Sequence, residues 1–591
     1  MASGDDRRRR LVVLLHAYNS SPDALDAVRR AVERAYGPDV EPLVPPLDIG
    51  LRSTSDPNLI ALGVIAEIDA AWGAASKRGA PFDAVILVGH SFGALLARKI
   101  YVIACGEHPR ALLEPEIGAR APSAWAWKVE RIVLLAGMNR GWRVTHHLGI
   151  LRAAVGTLLV AAARLACRFK RRPFTIFHIE QGSIFLTQLR LQWLWMRRRS
   201  QADGKQPGGA LTIQLLGTVD DMVSPQDNVD LVSGGDFLYL DVPVSGHADV
   251  IEMEDDAPGL DGRSKGALRS AAFELALQGT REALGEAGVV PDDLTSLLRP
   301  TRGIKEVVFV IHGIRDRGYW TQRIARQVRR EATRRGRSFE TETSSYGYFP
   351  MLPFLLSFKR RQKVQWLMDQ YAEAVALYPD AEKFHFVGHS NGTYCLATAL
   401  EDYPCCRFEN VVFAGSVVRK GFDWARFRNR DHPDAGRRYG TVGEVLNFVA
   451  TGDIVVAVFP NLFQYLWRSQ RLGSAGHSGF VGESEVQQVR YIAGGHSAAL
   501  AEQNWSAIAD FVLDGTLPEI APELAREHQG WFTRLLGRWP VTVAVWLLLI
   551  ATFLVGVPLV ILWGLGEAQQ WLKALALIAY GLLVIKVLTR L

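Results

Sequence analysis

The chain has 591 residues, 22% of them charged and 48% hydrophobic, with a formal net charge of +6. That length exceeds a single core and predicts about two to four domains, while plentiful apolar residues and aperiodic glycine and proline exclude a disordered or collagen-like protein. Five cysteines without a CxxC pair exclude a disulfide framework, a zinc ribbon and thioredoxin chemistry, and fit a reducing compartment.

The N-terminal MASGDDRRRR is followed by an apolar run of only five residues, LVVLL at 11–15. This is too short for the apolar region of a signal peptide, so it reads as a basic flank leading into a buried strand. Further short runs, AVILV at 84–88, VVFVI at 307–311 and FHFV at 384–387, alternate with amphipathic stretches such as 22–35 and 320–335. That alternation predicts parallel α/β structure. The layout also repeats. LVVLLHAYN at 11–19 matches VVFVIHGIR at 307–315, and ILVGHSFGALLA at 86–97 matches HFVGHSNGTYCL at 385–396. His16 precedes Ser91 by 75 residues and His312 precedes Ser390 by 78. Two similar domains are expected, at 1–285 and 303–517, joined by a Gly- and Pro-bearing linker at 286–302.

Each copy contains G-x-S-x-G after an apolar strand and before a helical stretch: Gly89-His90-Ser91-Phe92-Gly93 and Gly388-His389-Ser390-Asn391-Gly392. A tight strand-to-helix turn that lifts a serine hydroxyl above a sheet needs small residues two positions before and after it. In these motifs the sequence resembles the α/β-hydrolase family of serine hydrolases, twice over, across nearly all of residues 8–515. The resemblance implies two tandem α/β-hydrolase domains with mostly parallel sheets. It also implies an oxyanion hole made by the residue after each nucleophile together with a strand-end segment. By that correspondence Tyr18 (in His16-Ala17-Tyr18) and Phe92 serve the first site, and Ile314 (in His312-Gly313-Ile314) and Asn391 the second. An alanine, Ala17, stands where the family usually has glycine.

The family order is serine, acid, histidine. Strand-end positions offer Asp220 and His247 to Ser91, and Asp453 and His496 to Ser390. The histidine would take the serine proton, and the aspartate would fix its tautomer and offset its charge. Asp221 competes with Asp220, whose three-residue step from Gly217 matches the family's Gly-x-x-Asp. His477 competes with His496 but lacks a preceding strand, and Asp249 reads as a loop-orienting residue. His146-His147 lacks an HExxH context, and no P-loop or dinucleotide fingerprint occurs, so no metal and no cofactor is expected.

The first copy has about 66 more residues between serine and acid than the second, with 143–209 the natural insertion, and the family resemblance implies a cap or lid there. Its LGILRAAVGTLLVAAARLAC (148–167) and LQWLWMRRR (191–199) suit either a helix at a lipid interface or a cap with a basic rim. FPMLPFLLSFKRRQKVQWL (349–367) is a similar feature of the second copy. Basic clusters without a recognition helix or stacking platform do not indicate nucleic acid.

After a linker at 518–538, residues 541–563 contain no charge, and a second apolar stretch follows at 571–588. Together they predict a helical membrane hairpin at 539–591 with interfacial Trp539, Trp563 and Trp571. Arg534, Arg538, Lys586 and Arg590 flank its outer ends and Glu567 lies in its loop, which predicts hydrolase domains on the cytoplasmic side. The expectation is a membrane-anchored serine hydrolase of esters, of lipids or acyl conjugates, with membrane lipids as its partner. Acyltransferase and thioesterase chemistry use the same residues. A membrane scaffold or signalling effector with one or both domains inactive is the alternative from another class. The second domain, with its fuller motif set, is expected to be the more active.

Overall fold

The computed structural model describes residues 8–143, 163–164, 167, 172–220, 230, 237–289, 300–316, 318–482, 485–567 and 569–590. His146, His147, Asp221 and most of the 148–167 stretch lie outside them. Two compact units divide the chain, Met1–Pro300 and Thr301–Leu591, with Val375–Leu377 grouped with the first.

The first unit is built on strands β1 (Arg10–Leu15), β2 (Val40–Leu43), β3 (Ala84–His90), β4 (Val129–Leu135), β5 (Leu211–Gly217) and β6 (Phe237–Val242). They form one parallel sheet in the order β2-β1-β3-β4-β5-β6. Helices α1 (Asp26–Tyr36), α2 (Pro57–Lys77), α3 (Phe92–Ala104), α4 (Ile184–Ala202) and α5 (Lys265–Gln278) cover its faces. Successive side chains of β1 alternate between two cores. Leu11, Val13 and Leu15 pack with α2, α3 and α4, while Val12 and Leu14 pack with α1 and α5. Burial on both faces explains why these strands read as unbroken apolar runs.

The second unit repeats this with β7 (Glu306–Ile311), β8 (Phe339–Glu342), β9 (Lys383–His389), β10 (Arg407–Ala414), β11 (Thr441–Ala450) and β12 (Gln487–Ile492). Its parallel order, β12-β11-β10-β9-β7-β8, is that of the first sheet read from the other end. Around it stand α6 (Thr321–Arg334), α7 (Met351–Leu355), α8 (Ser357–Leu377), α9 (Asn391–Asp402), α10 (Ile454–Leu466) and α11 (Trp505–Asp514). Both units are thus parallel sheets flanked by helices, the α/β architecture expected from the sequence.

α4 settles one of the two readings of 191–199. Trp193, Arg190 and Arg197 are buried within the first unit, and Arg190 makes a two-pronged ion pair with buried Asp230 at 2.9 and 2.7 Å. This stretch is a core-packed helix and not one lying in lipid. Arg190 is inside because a carboxylate forty residues away in sequence balances its charge, and Arg197 donates to the Gly208 and Ala210 carbonyls at 3.0 and 2.6 Å.

At the C-terminus, helix α12 (Trp539–Gly564, with a π-turn at Thr552–Gly556) and helix α13 (Gln570–Arg590) are long and apolar enough to cross a membrane. α2 meets the same criterion of length and composition, but Val64, Ile65 and Ile68 place it in the first unit's core.

Candidate active sites

Each candidate nucleophile sits on a strained turn between a strand and a helix. Ser91 (φ 54°, ψ −112°) joins β3 to α3, and Ser390 (φ 51°, ψ −116°) joins β9 to α9. A left-handed φ is costly for a residue with a Cβ and persists only where packing enforces it. Here the flanking glycines permit the packing. A Cβ on Gly89 would lie 2.3 Å from the Gly93 carbonyl oxygen, and one on Gly93 would lie 2.2 Å from that of Leu15. Phe92 and Asn391 open their helices, so their N–H groups have no partner within the helix and are available to an oxyanion.

In the first unit the serine, histidine and acid are joined. His247 Nε2 lies 2.8 Å from Ser91 Oγ, and His247 Nδ1 lies 3.1 Å from Asp220 Oδ2. The acid follows β5 and the histidine follows β6, and the two loops are laced together. Val219 N–H donates to the Ser245 carbonyl at 3.0 Å, and Val244 N–H donates to Thr218 Oγ1 at 3.0 Å. Gly217 passes so near Ser245 that a Cβ would come within 2.4 Å of its carbonyl oxygen. Buried Arg269 on α5 holds the histidine loop from behind through Ser245 Oγ, the Val244 carbonyl, Asp249 and Asp255. Asp249 Oδ1 in turn accepts the Gly246 N–H. Asp249 thus orients the loop as the sequence suggests, while Arg269 carries no motif that could have marked it.

In the second unit the acid and histidine are joined, but the serine stands apart. His496 Nδ1 lies 2.9 Å from Asp453 Oδ2, and Asp453 Oδ1 accepts the Val456 N–H at the start of α10. Among the described residues, Ser390 Oγ makes no hydrogen bond to His496. The imidazole lies instead against Gly415, where a Cβ would meet its Cε1 at 2.7 Å. Its ring is 4.7 Å from that of His389, whereas the corresponding His90–His247 separation is 5.9 Å. His477, the competitor, is buried and bound through Nδ1 to Gln529 at 2.9 Å.

The strand-end segments that would complete the oxyanion holes are built alike. His16 and His312 each bond their own following carbonyl through Nδ1, at 2.9 and 2.8 Å. Their Nε2 atoms accept from the Leu47 N–H in one unit and bond Ser345 Oγ in the other. Burial lowers the pKa of both rings, which favours the neutral form these bonds use. Tyr18 packs edge-on against Phe92, and its hydroxyl donates to the Leu51 carbonyl. The second unit adds buried Tyr346. Its hydroxyl lies 2.7 Å from the His312 carbonyl oxygen and 3.0 Å from that of Gly313, and it accepts from Asn391 Nδ2 at 3.2 Å. Ile314 stands next in this segment. Gly313 has no room for a methyl, since a Cβ would be 2.7 Å from that of Ser390.

His90 and His389 precede the nucleophiles and are wholly buried, and burial lowers their pKa to about 4 and about 3. Their Nε2 atoms face the main-chain carbonyls of His247 and His496, so each links an elbow to the histidine loop. A cavity of about 680 Å³ lined by Leu47, Asp56, Ile60, Arg172 and His178 lies in the first unit, and no triad residue lines it.

No protein-family model matches the chain, and no curated protein matches it. Solved structures do. The phospholipase PlaB of Legionella pneumophila matches at 12% identity and TM-score 0.31, over 49% of this chain and 64% of that one. Its complex with thio-NAD is matched over 37% of its length, so the chain spans less than two thirds of either PlaB structure. The mature lipase BlEst2 of Bacillus licheniformis matches at 14% identity and TM-score 0.26, over 47% of this chain and 94% of that one. The RedJ thioesterase of Streptomyces coelicolor matches at 18% identity and TM-score 0.23, over 46% and 90%.

Proposed function

We propose that the chain is a membrane-anchored serine hydrolase that cleaves esters, of lipids or acyl conjugates, through an acyl-enzyme. The observation that carries this is the continuous Ser91–His247–Asp220 arrangement at the end of one sheet. Ser91 Oγ attacks the ester carbonyl while His247 Nε2 takes its proton, and Asp220 steadies the imidazolium. The oxyanion is held by the N–H groups of Phe92 and Tyr18. The proton then passes from His247 to the departing alkoxide. Water, deprotonated by the same ring, attacks the acyl-serine and releases the acid. With a thiol ester, or another acceptor in place of water, the same residues perform thioesterase or acyltransferase chemistry.

The hydrolase domains are taken as 1–285 and 303–517, with α12 and α13 as a membrane hairpin and both domains on the cytoplasmic side. Arg534, Arg538, Lys586 and Arg590 at its outer ends support that side. The separation of Ser390 from His496 favours a distinct state for the second site, one in which Asp453 and His496 are poised and the serine awaits closure.

Hydrolysis of a short-chain p-nitrophenyl ester tests the reading. Asp220→Asn is expected to lower kcat by about four orders of magnitude, the usual consequence of losing the acid that fixes the tautomer. An undiminished kcat in Asp220→Asn would overturn the assignment.

A further inference from the structure

Two apolar elements of the second unit are joined both to its candidate site and to the C-terminal helices. α10 carries no charged residue across IVVAVFPNLFQYL, and its N-cap is Asp453, the acid of the second site. The middle of the helix, 456–464, is buried apart from half-buried Phe459, while its ends are open, with Ile454, Val455, Tyr465 and Leu466 41–51% exposed. α12 lies against it. Trp546 Nε1 donates to the Val458 carbonyl at 2.9 Å, and the Trp546 ring meets that of Phe459 edge-on at 5.1 Å. Nearer the start of α12, Asn461 Nδ2 donates to the Gly537 carbonyl at 2.9 Å and to Thr542 Oγ1 at 3.3 Å.

These contacts fix a depth. Trp546 is seven residues beyond Trp539, which is about 10 Å along a helix rising 1.5 Å per residue. A hydrocarbon layer is about 30 Å thick, or about 15 Å per leaflet. Val458 meets Trp546 while the Tyr465 ring lies 6.1 Å from that of Trp539, so α10 runs antiparallel to α12. Where α12 enters that layer near Trp539, the exposed end of α10 at Ile454 and Val455 therefore lies at acyl-chain depth and its Leu466 end at the headgroups. A helix without charge, showing isoleucine, valine and leucine outward, suits that medium and no aqueous one. α7, with sequence MLPFL, packs against α13 and is equally free of charge. It follows the oxyanion segment closely: the Phe349 carbonyl, two residues before α7, accepts the Arg315 N–H at 2.9 Å. Exposed Arg361 and Arg468 follow α7 and α10, where anionic headgroups would be met.

We propose that α7 and α10 form a seat sunk into the membrane leaflet, so that the second site receives a lipid ester sideways from the bilayer. This rests on the reading of α12 and α13 as membrane helices, and the test keeps the two apart. A photo-crosslinking benzoylphenylalanine replaces Val455 on α10, Leu559 on α12, or Leu517, which is exposed near Gly515 where Gln487 at the start of β12 is bound. The full-length protein is placed in vesicles of phosphatidylcholine and phosphatidylglycerol with radiolabelled acyl chains and irradiated. Lipid adducts are expected at Val455 and Leu559, and none at Leu517. An adduct at Leu559 but none at Val455, or a protein adduct there from a second copy, would overturn the seat and leave the anchor standing. No adduct at Leu559 would overturn the anchor and the seat together.

Discussion

At the end of β4 stands Ala136 with φ 44°, and at the end of β10 stands Gly415 with φ 54°. The two positions correspond, because the residue before each supplies the carbonyl that accepts the nucleophile's N–H, Leu135 to Ser91 and Ala414 to Ser390. With a methyl at 136 the histidine bonds its serine; without one at 415 the imidazole occupies the space and draws back toward His389. Gly415→Ala is therefore expected to press His496 toward Ser390 and speed acylation there about tenfold, the equivalent of about 1.4 kcal/mol from a recovered hydrogen bond. Site-resolved labelling rates check this, and a slower rate at Ser390 would contradict it. Buried His90 yields a pH effect. Its folded pKa of about 4 lies below the ordinary 6.5, so the unfolded chain takes up its proton first as pH falls. The stability contributed by the neutral ring is whole above about pH 6.5 and is lost toward pH 4 at up to about 1.4 kcal/mol per unit. Denaturant midpoints between pH 7 and 4.5 should fall, and His90→Asn should flatten that slope; an unchanged slope would contradict the account.

Among elements, the loop after β6 shows what was and was not legible in the chain. His247 and Asp220 could be found because each follows an apolar strand in the order serine, acid, histidine. Arg269 could not, because one arginine in a helix carries no pattern, and its role comes from the tertiary approach of α5 to residues 244–255. Arg269→Gln is expected to destabilise the first unit by about 2 kcal/mol, less than a fully buried ion pair because Asp249 is partly exposed, and to slow acylation of Ser91. Thermal unfolding and labelling rates measured together check both effects, and an unchanged Ser91 rate would leave Arg269 merely structural. Tyr346 was hidden for the same reason, since nothing local in SSYGYFP announces a hydroxyl beneath the His312 and Gly313 carbonyls. The misleading element was the basic, Trp-rich α4, whose pattern fits a lipid surface until Asp230 is seen to neutralise its inward arginine.

At the scale of the whole molecule, the duplicated layout was plain in the sequence, because the strand runs and serine turns recur at nearly equal spacing. The second copy is expected to be the more active from its fuller motif set, Gly313 included, whereas the continuous Ser-His-Asp hydrogen bonding on which the proposed function rests lies in the first. Ala17 is accommodated there, whereas Gly313 leaves no space for a methyl beside Ser390. Two units with one sheet order, one joined Ser-His-Asp set and one parted set support the proposal of a hydrolase whose halves have taken different tasks. Fluorophosphonate labelling of the full-length protein in detergent, comparing wild type with Ser91→Ala, Ser390→Ala and the double variant, tests this most directly. The expected result is strong labelling of wild type and Ser390→Ala, weak and slow labelling of Ser91→Ala, and none of the double variant. Labelling that survives undiminished in Ser91→Ala, or is absent from the wild type, would contradict the account.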